Sequence, residues 1–219
     1  DFKGEEQFHS GVSDRATYYK IEDLFEHKNS EERIFVFDVT MQNHGGYERQ
    51  EYEPQDSIHA ENINCEEANL YLSLINESDK AFGELIQYFE GKSEKVIICM
   101  FGDHQPMFED ESFYEQIYAQ TEIDKIFNQY KTPFIIWANY DIPEQDDIDI
   151  SANYLGALLL ETAGIPENSY FNFLTEQMKD YPVITVNGYK DSKGNVSQWS
   201  GDGTELLNYR ILQYYELFD

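Results

Sequence analysis

Three short apolar runs, Arg33 to Val39, Val96 to Phe101 and Thr132 to Ala138, constrain the fold more than anything else in this chain. Each is rich in β-branched and aromatic residues and does not alternate, the pattern of a strand covered on both faces. Other segments carry a helical repeat. From Glu66 to Glu90, residues Leu70, Leu74, Ile75, Phe82, Leu85, Ile86 and Phe89 recur near every 3.6 positions, and Gly91 follows as a stop signal. Ser13 and Asp14 offer an N-cap to a helix running to about Glu26, and Ser151 offers one to a helix passing Leu155, Leu158 and Leu159 to Gly164. Strands covered on both faces and separated by helices predict an α/β fold, with flanking helices around a largely parallel sheet. Beyond Gly164, Pro182 to Trp199 reads as a hairpin around the turn-rich 191–195, and Glu205 to Phe218 as an aromatic amphipathic helix. Residues 142–149 read as an acidic loop. Without an internal repeat or flexible linker, residues 1–219 read as one domain.

Charge narrows the partners. Fifteen basic against 43 acidic residues leave a formal charge of −28. Nucleic-acid binding rests on Lys and Arg neutralising phosphates, and attraction to anionic lipid surfaces rests on basic clusters, so both are disfavoured. With 41% apolar residues, 17 Tyr and 15 Phe, the chain is nevertheless too apolar to be a disordered acidic tail. Two cysteines are too few for a disulfide framework, and Cys99, inside the second run, reads as a small buried hydrophobe. No apolar stretch reaches the ~18 residues that span a bilayer. The start, Asp-Phe-Lys-Gly-Glu-Glu, is no signal peptide, so the chain reads as a piece of something longer.

In open α/β sheets, ligands bind beyond the carboxyl ends of the strands. The first run leads into Thr40-Met41-Gln42-Asn43-His44-Gly45-Gly46-Tyr47, the second into Gly102-Asp103-His104-Gln105-Pro106 and the third into Asn139-Tyr140-Asp141. Consecutive side chains on a strand point to opposite faces, so Asp103 and His104 share a ligand only if the backbone turns at Gly102. A carboxylate oxygen with an imidazole nitrogen suits Mn, Zn or Fe better than Ca. The alternative is an Asp capping the following turn beside a surface His. His44 is either a solvated loop histidine or a substrate contact at the same sheet edge. His9, His27 and His59 have no comparable setting. Asn43 reads as a turn former, and Asp38, inside an apolar run, as a buried carboxylate needing a partner. The acidic runs at 109–111 and 144–149 read as solvated faces.

Six blocks now stand together: GVSD at Gly11 to Asp14, FVFDVTMQNHGGY at Phe35 to Tyr47, FGDHQP at Phe101 to Pro106, TPFIIWAN at Thr132 to Asn139, SANYLGALLLETAG at Ser151 to Gly164 and LNYRILQYYELF at Leu207 to Phe218. In order and spacing the sequence resembles the sulfatase-like ectodomain of the lipoteichoic acid synthase and phosphoglycerol transferase family, within the alkaline phosphatase superfamily. The resemblance implies that Asp103 and His104 ligate a catalytic divalent cation, usually manganese, and that His44 contacts the phosphate or glycerol of the substrate. It also implies a metal-activated threonine that attacks the phosphodiester of phosphatidylglycerol, giving a glycerophosphoryl-enzyme in the synthesis of lipoteichoic acid. In the family that threonine and a further acidic ligand lie upstream of the His loop, preceded by membrane helices that anchor the enzyme at the outer face of the cell membrane. Neither Thr17 nor Thr40 matches the nucleophile, so residues 1–219 are expected to be the C-terminal portion of the catalytic domain, with half a metal site and no turnover alone. Sulfate or phosphodiester hydrolysis, phosphoethanolamine transfer, or a non-catalytic acidic extracellular module are the alternatives.

Overall fold

The computed structural model describes residues 2, 4–47, 57–61, 64–109, 111–117, 127–200 and 206–218. They form two compact units, residues 1–96 with 103–118 and residues 97–102 with 119–219.

In the first unit a short antiparallel hairpin, β1 (Gln7–Phe8) and β2 (Gly11–Val12), leads into helix α1 (Asp14–His27). Ser13 caps it as expected, its hydroxyl accepting from the Ala16 N–H at 3.2 Å. The long helix α2 (Glu66–Glu90) has the expected bounds. Gly91 ends it in a right-handed conformation. The two helices are joined by a two-point Arg15–Glu84 ion pair (2.7 and 2.9 Å) and an edge-to-face Phe25–Phe89 contact. Leu70 and Leu74 of α2 pack with Tyr47, Cys65, Ala68 and Phe108 into the core of this unit. A short helix, α3 (Glu111–Ile117), follows.

In the second unit β3 (Ile97–Phe101) pairs with β4 (Phe134–Ala138), from Ile97 opposite Ala138 to Phe101 opposite Phe134. The pair is antiparallel. Every strand pair among the described residues is antiparallel, where a largely parallel sheet was expected. An apolar run specifies that a strand is covered but not its direction, which is set by how the connection returns. Here the ends are tied by the Gly102 N–H to the Pro133 carbonyl (3.1 Å) and the Thr132 hydroxyl to the Gly102 carbonyl (2.7 Å). Cys99 is only half-buried, although burial still pushes its thiol pKa up, and both cysteines are free.

A single helical turn (Ala152–Tyr154) runs into helix α4 (Leu155–Ala163), closed by Gly164. Ser151 does not cap it; its hydroxyl instead accepts from the Ile184 N–H. Helix α5 (Ser169–Asp180), which the sequence reading leaves out, is capped by Asn168 accepting from the Phe171 N–H at 2.9 Å. Its signal was present, since Tyr170, Phe173, Leu174 and Met178 keep helical spacing. Tyr154, Ala157 and Leu174 form the second core with Tyr209 of the C-terminal helix α6 (Leu207–Phe218). The expected hairpin is a three-stranded meander, β5 (Val183–Thr185), β6 (Gly188–Lys190) and β7 (Val196–Ser197), with the predicted turn joining its last two strands. Asp149 is exposed, as the solvated-face reading expects, and is paired with Lys190 (2.7 Å) and Lys131 (3.1 Å). Burial pushes its carboxyl up, but the two ammonium groups outweigh that and hold it below its usual range. No helix among the described residues is long and apolar enough to cross a membrane.

The first apolar run departs furthest from expectation. Residues 33–39 form no ladder with any described residue, and Phe35 (84%), Phe37 (68%) and Val39 (63%) are exposed. Its composition asks for cover on both faces, and no strand among the described residues pairs with it.

Gly188 gives a test of the meander. Its φ is +148°, and a Cβ there would lie 2.2 Å from the Ser197 carbonyl oxygen. Gly188→Ala is expected to cost about 2–4 kcal/mol in urea unfolding; an unchanged midpoint would show that the β6–β7 contact is dispensable.

Candidate functional site

The loop that carries His44 is held from two sides. On one side the β1–β2 turn grips its backbone. The Ser10 hydroxyl donates to the His44 carbonyl (2.5 Å), His9 Nδ1 lies 2.9 Å from the Gln42 carbonyl, and His9 Nε2 lies 3.2 Å from that of Gly46. His9 also stacks on Tyr47, with centroids 5.9 Å apart. The Tyr47 hydroxyl closes the loop by donating to the Asn43 carbonyl (2.9 Å); burial, with smaller contributions from Tyr71, Tyr114 and Glu67, pushes that phenol up to about 12. His9, which has no distinctive setting in the sequence, thus bears directly on the site. The signal lies in the fold, since 33 residues separate it from Gln42.

On the other side lies a buried polar junction. Asp14 is 2% exposed and Gln42 3%. The Gln42 side-chain carbonyl accepts from the Asp14 N–H (3.0 Å), satisfying one of the free donors at the start of α1. The Ser78 hydroxyl, from α2, donates to Asp14 Oδ2 (2.5 Å) and accepts from Gln42 Nε2 (3.1 Å) and Asn43 Nδ2 (2.7 Å). Asn43 is therefore more than a turn former. Burial raises the Asp14 carboxyl above its usual range, the Ser78 and Thr40 hydroxyls pull it down, and the charge of Asp38 raises it further. Asp14 Oδ1 and Asp38 Oδ2 are both buried without a hydrogen-bond partner in the structure. Asp38 is the carboxylate expected to need a partner, and its side chain has none at that oxygen.

This scaffold leaves His44 exposed, its N–H tied to the Met41 carbonyl (3.1 Å) and its ring edge-to-face with His104, centroids 6.3 Å apart. Asp103 and His104 are also exposed. Asp103 Oδ1 accepts from the His104 N–H (2.9 Å), a contact within the dipeptide that leaves Oδ2 towards the ring. His104 Nδ1 lies 2.8 Å from the Gln105 carbonyl, which makes that nitrogen the donor, so that in the neutral ring Nε2 keeps the lone pair. Nε2 and Asp103 Oδ2 are 3.7 Å apart, close enough for both to reach one ion at about 2.1 Å. The donor set fits a divalent transition metal as half a site, and among the described residues no third His, Cys, Asp or Glu joins it. Gly102 plays a part other than the expected turn: a Cβ there would lie 3.1 Å from Thr132 Cβ, so the residue permits a close approach.

The Thr17 hydroxyl is buried on α1 and donates to the Asp14 carbonyl (2.9 Å).

Comparison with known proteins adds three findings. The family model for sulfatases matches residues 2–165. A Rhizobium meliloti (strain 1021) protein assigned to cyclic beta-1,2-glucan modification is 27% identical over 203 residues, 86% of this chain and 32% of its own length. The structure of the Streptococcus pyogenes phosphoglycerol transferase GacH in complex with sn-glycerol-1-phosphate superposes with a TM-score of 0.65 at 20% identity, over 97% of this chain and 49% of that one. The chain spans about a third and a half of these two proteins.

Asp14 supplies a test of the buried junction. Its raised native carboxyl binds a proton more tightly than the unfolded one, whose value is 3.8, so the native state loses stability as pH climbs from 3.8 through the raised native value. Asp14→Asn removes this slope. The urea midpoint of the variant is expected to gain on that of the wild type between about pH 4 and pH 7; a gap that does not change with pH would mean that Asp14 carries no net burial penalty.

Proposed function

This chain belongs to the sulfatase family, and on that basis we propose that it is the C-terminal portion of a metal-dependent catalytic domain transferring phosphoglycerol from a phosphatidylglycerol-type headgroup. The observation that carries the reading is the convergence of His44, Asp103 and His104, with Nε2 of His104 free and 3.7 Å from Asp103 Oδ2. A divalent cation, manganese in this reading, supplies Lewis-acid polarisation of the phosphoryl group when bound. Asp103 and His104 provide a carboxylate oxygen and an imidazole nitrogen to hold it. His44 stands beside them on a fixed loop, able to donate to a phosphate oxygen or a glycerol hydroxyl. In a chain of charge −28 an anionic headgroup needs a local reversal of sign, and a cation at Asp103 and His104 gives one.

The nucleophile, a threonine, and the remaining acidic ligand belong to a preceding part of the protein, which also carries the membrane anchor. The exposed run 33–39 supports this division, because a strand neighbour from that part would give it the cover its composition requires. Two acceptors compete. The resemblance in sequence favours a growing lipoteichoic acid chain, whereas the Rhizobium relative, named for a glucan, favours a glycan hydroxyl. Incubating the whole protein with phosphatidylglycerol and each acceptor distinguishes them by which product carries phosphoglycerol.

Alanine at Asp103 or His104 in the whole protein is expected to lower phosphoglycerol transfer at least about 100-fold; full activity in both variants would leave the non-catalytic module as the reading. With the 219-residue chain alone, calorimetric titration with Mn2+ is expected to give weak binding that His104→Ala abolishes. Equal heats from the two proteins would remove His104 from the ligand set.

A further inference from the structure

We infer that Ser78 is a positioning residue for His44, fixing the histidine's loop through one hydroxyl whose hydrogen-bonding capacity is fully used. A serine hydroxyl has one hydrogen and two lone pairs. Here the hydrogen goes to Asp14 Oδ2, and the lone pairs accept from the side-chain amides of Gln42 and Asn43, the two residues immediately before His44. Ser78 is 64 residues from Asp14 and 35 from Asn43, in the middle of α2, where serine is a poorer helix former than alanine or leucine. Its place there is explained by what the hydroxyl joins: the start of α1, the body of α2 and the His44 loop.

The direction of the bonds matters. Asp14 Oδ2 is an acceptor that orients the Ser78 hydroxyl, so the oxygen lone pairs face the two amides. Gln42 is held at both ends, its carbonyl by the Asp14 N–H and its amide by Ser78, and Asn43 is held by Ser78 and by Tyr47 on its main-chain carbonyl. His44 itself makes no contact with Ser78 in this network; it inherits its place from the two preceding residues. Without the hydroxyl, Asp14 Oδ2 loses its donor and two amides lose an acceptor, while the grip of His9 and Ser10 on the loop backbone remains. The loop is then expected to stay attached but to lose its fixed register.

The consequence for substrate rests on the phosphoglycerol reading; the consequence for His44 does not. Ser78→Ala and Ser78→Thr are compared with wild type in the 219-residue chain by imidazole nitrogen–proton correlation spectra, with the His44 signal assigned from His44→Asn, and by titration with sn-glycerol-1-phosphate. The His44 ring signal is expected to move away from its native position, set partly by the neighbouring His104 ring, towards that of a solvated histidine in Ser78→Ala. It should return in Ser78→Thr, which restores the hydroxyl. Affinity for sn-glycerol-1-phosphate is expected to fall about tenfold in the alanine variant and to stay within about twofold in the threonine variant. If Ser78→Ala does not fold, Asn43→Ala, which cuts one arm at a partly exposed position, is expected to give the same displacement. An unchanged His44 signal in a folded Ser78→Ala or Asn43→Ala protein, or a threonine variant that behaves as alanine does, would overturn the inference. Wild-type chain that binds no sn-glycerol-1-phosphate would count against the phosphoglycerol reading alone, with the ring spectra still deciding the role of Ser78.

Discussion

The junction of Asp14, Gln42, Asn43 and Ser78 is the constraint on which the first unit depends. It brings four polar side chains into a place where two are almost wholly removed from water, and burial of that kind is tolerated only when donors and acceptors are matched. Most are. The helix start, the hydroxyl of α2 and the amides of the His44 loop satisfy one another. A junction of this sort fixes geometry more sharply than apolar packing, because losing one member strands the others. What remains unmatched is telling: one oxygen each of Asp14 and Asp38, which interact through charge.

The loop it supports is shaped twice over. From one face the hairpin turn holds carbonyl groups, and from the other the junction holds side chains, so His44 projects from a segment with little freedom left. A rigid support under an exposed imidazole is what recognition of a small anionic group needs, since a donor that must be ordered on binding gives up part of its interaction energy. Asp103 and His104 are prepared less thoroughly. The Gln105 carbonyl fixes the tautomer of His104, but both side chains are open to solvent, and no third His, Cys, Asp or Glu joins this candidate pair among the described residues.

Much of the fold was legible. Ser13 as a cap, the bounds of α2 and the final helix follow from local rules of capping and periodicity, which act over a few residues. The strand runs were legible as strands in two of three cases, yet their direction was not, because pairing is decided by distant chain. Helix α5 was missed although its spacing and its Asn168 cap were present. For the site, His44, Asp103 and His104 stood out because histidines and carboxylates at strand ends have few structural uses. Ser78, His9 and Ser10 did not, being ordinary residues whose roles depend on neighbours 33 to 64 positions away.

The sequence by itself determined which residue types are able to do chemistry and where α1, α2 and α6 run, since both are properties of residue types and of short-range backbone bonding. It also marked residues 33–39 as an apolar run requiring cover, which forms no strand among the described residues. Only the tertiary structure decided that Asp103 Oδ2 and His104 Nε2 approach one another, that the His104 ring meets His44, and that a serine on a helix holds the loop between them. Those are hydrogen bonds and contacts between segments distant along the chain. No local pattern encodes them, because each partner is satisfied only after the helices have packed.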